Sequence, residues 1–310
     1  MSTLLESSPQ FLPTESQLHM AYSVCRGITR ANAKNFYYGF LLLPKRKRQA
    51  LCAVYAFMRR CDDIADDSAR SASERRQTLD AWVAAFHSAQ SGLATDDPVL
   101  LALTDAQRRF QIPVGLLDGL AFGTGMDATE GPEEPFAPGL RLQYRSFEDL
   151  ERYCYHVASI VGLVCIRIFG YSDPAAEPLA ERCGLAFQLT NIIRDVKEDA
   201  GLGRIYLPAE DMEKFGISPA ELAGTPDRQR LRPLLEFEAR RAFENYRAAE
   251  ELRPLVAEDS QPALSVLVGI YRGLLEKIAR LKYDVFRRRI SLSRREKLVI
   301  LAKGFFERIS

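Results

Sequence analysis

Between Tyr55 and Asp67 the chain reads YAFMRRCDDIADD, which sets Asp62, Asp63, Asp66 and Asp67 into an otherwise apolar helical pattern. Side chains four positions apart share a helix face, so Asp62 and Asp66 lie a turn apart on the stripe that already carries Tyr55, Met58 and Arg59. That stripe is the one expected to face inward. Paired anions on it repel each other and lose their hydration, a penalty of several kcal/mol per ion. Whatever fold this chain adopts must bring cations to them.

A lone acidic run is more often a solvated helix end. A second stretch reverses that weighing. Cys183 to Asp199, CGLAFQLTNIIRDVKED, repeats Gly184, Gln188, Asn191, Asp195 and Asp199 at spacings of four, three, four and four, beside an apolar stripe of Leu185, Leu189, Ile192 and Val196. Two helices therefore each offer an i, i+4 carboxylate pair. Oxygen ligands with no His or Cys beside them suit Mg²⁺, which keeps several waters and is completed by substrate phosphates. The expected guest is a diphosphate.

Asp62-Asp63-Ile-Ala-Asp66, with Asn191-Ile-Ile-Arg194-Asp195-Val-Lys-Glu198-Asp199 and then Gly203-Arg204-Ile-Tyr206-Leu-Pro208, resembles the squalene/phytoene synthase family of head-to-head prenyltransferases. The resemblance runs from about Gln17 to Lys303. Within the family, Asn35-Phe36-Tyr37-Tyr38-Gly39 followed by Leu-Pro and a basic helix start is most similar to the bacterial presqualene diphosphate synthases. It implies an all-α helical bundle of the isoprenoid synthase type with a central cavity. It also implies two or three Mg²⁺ ions held by Asp62, Asp66, Asn191, Asp195 and Asp199, with Asp63 in support, and farnesyl or geranylgeranyl diphosphate as substrate.

Guanidinium forks match phosphate oxygens, which makes Arg59, Arg194 and Arg204 candidate clamps, with ion pairing to nearby carboxylates as the plainer role. Lys34, and by resemblance Asn35, join them as substrate-binding candidates. Allylic and cyclopropylcarbinyl cations survive only where water is excluded and π-faces line the wall. Phe36, Tyr37, Tyr55, Phe57, Tyr153, Phe187 and Tyr271 are candidates, although an aromatic stripe is usually plain core. Tyr55 and Tyr153 stand out by matching family positions near the reacting centre. Gln188 is read as orienting substrate or a metal-bound water, and His156 as a packed or solvated residue.

Helical periodicity extends nearly everywhere and strand signals are nearly absent. Helices are expected over Gln17 to Arg30, from Pro44 through Asp67, from a Ser71 capping box to about Ser88, and from Pro98 and Pro113. In the last of these, Gly115, Gly119 and Gly123 would admit a neighbouring backbone. Gly131 to Leu142 reads as a mobile loop and Ser146 caps the next helix. Gly201 to Gly224 reads as irregular with a short helix, and Leu231 to Leu252, Pro262 to Arg289 and Ser293 to Arg308 complete the set. No repeat or compositional break divides the chain, so residues 17–310 are expected to form a single all-α domain behind a flexible lead-in, 1–16.

Of the 310 residues, 42 are Lys or Arg and 41 Asp or Glu, a balance that gives no reason to expect nucleic acid as a partner. The six cysteines form no C-x-x-C pair, as suits reduced thiols in the cytoplasm. The N-terminus lacks a signal-peptide pattern, and no run of about eighteen apolar residues suggests a spanning helix. A greasy product would still bring the chain to a membrane surface. The runs Lys45 to Arg48 and Arg287 to Arg295 read as solvated helix ends, with anionic lipid or a substrate phosphate as the alternative.

No G-x-G-x-x-G follows a strand. NADPH use stays open all the same, because the resemblance implies that reducing members of the family also lack a Rossmann fold. The rivals fare worse: a di-iron bundle needs Glu-x-x-His pairs, and a solenoid needs a period of 20 to 50 residues. Neither pattern occurs in the sequence. Oligomeric state is not written in it.

Overall fold

The computed structural model of the chain describes residues 12–33, 36–126, 133–134, 137–224 and 226–309. Lys34, Asn35 and most of the lead-in lie outside the described residues. The helices are α1 (Glu15–Asn32), α2 (Phe36–Phe40), α3 (Lys45–Ala65), α4 (Ala72–Gln90), α5 (Pro98–Phe110), α6 (Val114–Met126), α7 (Phe147–Cys154), α8 (Ile160–Phe169) and α9 (Ala176–Gly201). After them come α10 (Ala209–Lys214), α11 (Pro219–Ala223), α12 (Arg228–Tyr246), α13 (Ala248–Leu252), α14 (Gln261–Arg280) and α15 (Arg294–Ile309).

Local chemistry sets many of these ends. Ser71 and Ser146 each accept a backbone N–H three residues on while the residue there, Glu74 or Asp149, bonds back, so both expected capping boxes are present. Pro98 opens α5 as expected, and Asp97 caps it. Pro44 precedes α3 rather than beginning it, and α3 stops at Ala65, with Asp66 as its C-cap.

Three expectations need correction. Within Gly131 to Leu142, read as a loop, β1 (Glu133–Glu134) pairs antiparallel with β2 (Ala137–Leu142), and β2 pairs in parallel with β3 (Arg204–Ile205). The helix expected to reach Arg289 ends at Arg280, because the chain turns back through Lys282 and Tyr283 at positive φ. Lys47, placed in a solvated basic run, donates to the Phe169 carbonyl at the end of α8 (2.7 Å) and pairs with Asp259 (2.5 Å).

Phe147 to Phe169 is a continuous helical path of 23 residues, long and apolar enough by composition to cross a membrane, but more than half of its most apolar window is buried inside the protein. Its middle, Tyr155–Ser159, widens into a π turn. Two glycines press on that turn: a Cβ on Gly123 of α6 would lie 2.7 Å from the His156 carbonyl oxygen, and one on Gly184 of α9 would lie 2.5 Å from that of Ala158. Gly119 instead meets the side chain of Ile160 and Gly115 has nothing near it, so of Gly115, Gly119 and Gly123 only Gly123 admits the expected neighbouring backbone. The buried apolar side chains form a contiguous core around α3, α8, α9 and α14.

Candidate active site

An apolar cavity of about 180 Å³ lies between α3, α8, α9 and α14. On α3 it is lined by Leu51, Val54, Tyr55 and Met58, and on α9 by Ala180, Cys183, Gly184, Phe187, Gln188 and Asn191. Each lining stripe runs toward the C-terminal end of its helix and then meets carboxylate: Asp62 lies a turn beyond Met58, and Asp195 a turn beyond Asn191. Both lining stripes therefore lead from the cavity into an acidic helix end. At 1.5 Å per residue the acids stand roughly 16 Å along α3 from Leu51 and roughly 22 Å along α9 from Ala180. Phe169, held at the start of α3 by Lys47, and Phe40, just before α3, wall the opposite end.

At the acidic rim Asp62, Asp195 and Asp199 are half-buried, while Asp63 and Asp66 are exposed. Arg59 donates to Asp63 at 2.5 Å. Asp195 accepts a forked pair of bonds from Arg194, with Nε to Oδ1 at 2.7 Å, and a second fork from Arg289 at 2.9 and 3.1 Å. Burial works to raise the Asp195 carboxyl, but the Arg194 and Arg289 guanidiniums outweigh it and hold the group below the usual carboxylate range. Burial and the charge on Asp195 push Glu198 upward. The sequence places Arg289 only in a basic run, solvated or facing lipid or a substrate phosphate. Its bond to Asp195 spans 94 positions, and no local pattern announces it.

Among the described residues no three His, Cys, Asp or Glu side chains converge as a ready-made metal cage. The donor set still fits Mg²⁺, which takes one or two carboxylates, keeps water and shares phosphate oxygens. The rim also lies at the C-terminal ends of both helices, where the dipole favours a cation.

The aromatic candidates divide. Phe187 and Tyr271 stack with centroids 4.4 Å apart, and Phe36 leans on Tyr271 at 5.5 Å; all three line the cavity with the half-buried Tyr55. Tyr55 has its hydroxyl pKa raised by burial, with Asp62 and Asp63 adding to it against Arg59. Tyr153 instead joins Tyr144 (5.2 Å) and Tyr206 (5.4 Å) in a ring cluster, and Phe57 packs on Trp82 and Phe86. Tyr37, Tyr153 and Phe57 are not among the cavity-lining residues. Arg204 sits on β3 beside Asp199 and Tyr206 in a smaller pocket flanking α9. Parallel pairing to Arg141 and Leu142 of β2 holds it there. Cys165 and Cys183 also line the cavity, and burial pushes both thiols up to about 12, so neither presents a thiolate to a bound cation.

The squalene/phytoene synthase family profile matches residues 29–296. Phytoene synthases of Mycobacterium bovis and Mycobacterium tuberculosis are each 38% identical over 292 residues, covering 93% of this chain and 91% of theirs. The 15-cis-phytoene synthase of Synechocystis is 34% identical over 97% of this chain and 89% of its own. Among solved structures, a dehydrosqualene synthase in complex with ligand superposes with a TM-score of 0.81 at 33% identity, covering 94% of this chain and 97% of that one. Squalene synthase HpnC from Alicyclobacillus acidocaldarius gives 0.77 at 28%, covering 87% and 97%. With α3 and α9 both lining one apolar cavity, the chain belongs to the squalene/phytoene synthase family and is a prenyltransferase of the head-to-head condensing type.

Proposed function

We propose that the protein joins two farnesyl diphosphates head to head, giving presqualene diphosphate and free diphosphate, within one catalytic domain spanning residues 17–310. The observation that carries this reading is the continuity of the cavity lining on α3 and α9 with the Asp62 and Asp195 edges. Asp62, Asp66, Asn191, Asp195 and Asp199 would hold Mg²⁺, with Asp63 in support, and bound Mg²⁺ supplies positive charge to the departing diphosphate. Arg194, with Arg59 and Arg204 at the rim, binds phosphate oxygens, and Gln188 orients the head group. Phe36, Tyr55, Phe187 and Tyr271 keep water out and offer π-faces to the allylic cation. C1 of that cation is attacked by the C2=C3 double bond of the second substrate, and loss of a proton to the released diphosphate closes the cyclopropane.

The bulk of Phe40 and Phe169 in the cavity wall favours a C15 chain, as do the C30 names of the two structural relatives. A second reading, geranylgeranyl diphosphate to phytoene, is favoured by the names of the curated relatives. Labelled farnesyl and geranylgeranyl diphosphates, each incubated with purified protein and Mg²⁺ with or without NADPH, separate the two. The expected product is a C30 cyclopropylcarbinyl diphosphate, unchanged by NADPH. Hydrocarbon from farnesyl diphosphate, or condensation of geranylgeranyl diphosphate alone, overturns the assignment. Phe40→Ala should shift preference toward the longer substrate.

A further inference from the structure

The outward face of α15 is apolar where a surface helix is ordinarily polar. Leu298 (55% exposed), Val299 (57%), Phe305 (49%) and Phe306 (68%) all project from it. The helix cannot roll to hide them, because its inner face is fixed: a Cβ on Gly304 would lie 2.5 Å from Val266 and 3.0 Å from Leu42, and Ile300 fills the space over Gly269. Leu41, next to the Leu42 that packs on Gly304, is exposed as well.

Cations surround this patch. Arg294, Arg295 and Lys303 are exposed on α15, and Lys45 and Arg46 are exposed at the start of α3, just after Leu41 and Leu42. One basic stretch thus opens α15 at its N-terminal end, and the other follows Leu42, which packs on its C-terminal part at Gly304. Among the described side chains of α15, the one acid, Glu296, is committed to Lys277 at 2.8 Å and to the Ser293 N–H, so it does not neutralise the face.

We propose that this face docks the protein onto an anionic lipid bilayer, with Leu298, Val299, Phe305 and Phe306 entering the interface and the flanking Arg and Lys meeting lipid phosphates. Apolar side chains interleaved with cations on one helix face is the pattern that binds such surfaces. A second copy of the chain is a poorer occupant, because a two-fold pairing of this face would set like charges against each other. The face also backs a wall of the cavity: α15 packs on α14 and α2, whose residues Leu264, Leu267, Tyr271, Phe36 and Phe40 line it.

The test is sedimentation of the full chain with phosphatidylcholine vesicles, with or without phosphatidylglycerol, beside a Leu298→Ser/Phe305→Ser variant and an Arg294→Glu/Arg295→Glu variant. Circular dichroism confirms that each variant is folded. The expected result is binding to the phosphatidylglycerol vesicles that high salt weakens and each variant cuts by about tenfold or more. Equal binding to neutral vesicles, or variants that bind like the parent, would overturn the proposal. So would a dimer in sedimentation equilibrium that the Leu298→Ser/Phe305→Ser variant converts to monomer. None of these readouts depends on which prenyl diphosphate is the substrate.

Discussion

Glu238 is 1% exposed and shares Arg241 with Asp211, which is 3% exposed, tying α12 to α10. Burial pushes its carboxyl from 4.5 up to about 7, with Asp211 adding to the rise and Arg241 opposing it. A folded-state value above the unfolded one means that ionisation favours the unfolded chain, so stability is lost as pH rises from about 4.5 through about 7. Glu238→Gln keeps a donor toward Asp211 without the ionisation. Thermal melts across this window should show the parent losing stability relative to Glu238→Gln, by on the order of a kcal/mol or more; parallel curves would contradict the assignment. The cavity thiols give a second residue-scale expectation. Cys165 and Cys183, raised to about 12, should resist iodoacetamide in mildly alkaline native solution and react once the chain is unfolded, as mass spectrometry of the labelled peptides would report.

Between elements, one close approach depends on Gly184, where α9 meets the π turn that also presents Val157 and Ala158 to the cavity. A methyl group there meets backbone atoms 2.5 to 2.7 Å away, so one element must move. Gly184→Ala should therefore cost about 1 to 3 kcal/mol and reduce turnover together with stability. Urea unfolding beside a product assay checks both, and an unperturbed variant would mean that the two elements are less tightly apposed. Elements of this kind were only half legible in the sequence. The caps at Ser71, Ser146 and Pro98 are local, because a few side chains satisfy the helix's own first N–H groups. The pairing of β2 with β3 satisfies backbone groups across some sixty positions and leaves no periodic trace. The end of α14 was hidden for another reason: Lys282 and Tyr283 adopt positive φ without a glycine to mark the turn, and their N–H groups close onto the Ala279 and Ile278 carbonyls.

Across the whole molecule, the two acidic helices were legible because spacing alone puts their carboxylates on one face each, and in the structure the stripes leading into both of them line one cavity. Tyr153 and Arg289 were not, since a ring cluster and a long-range ion pair depend on which elements the fold brings together. The account stands on those two edges acting jointly, although 133 positions separate Asp62 from Asp195. Its most direct test is the rate of condensation of farnesyl diphosphate, over a range of Mg²⁺ concentrations, by the parent, Asp62→Ala and Asp195→Ala. Each variant is expected to lose about two orders of magnitude or more in turnover while keeping its helix content. Near-parent turnover in either one would contradict the assignment of a shared Mg²⁺ and diphosphate site.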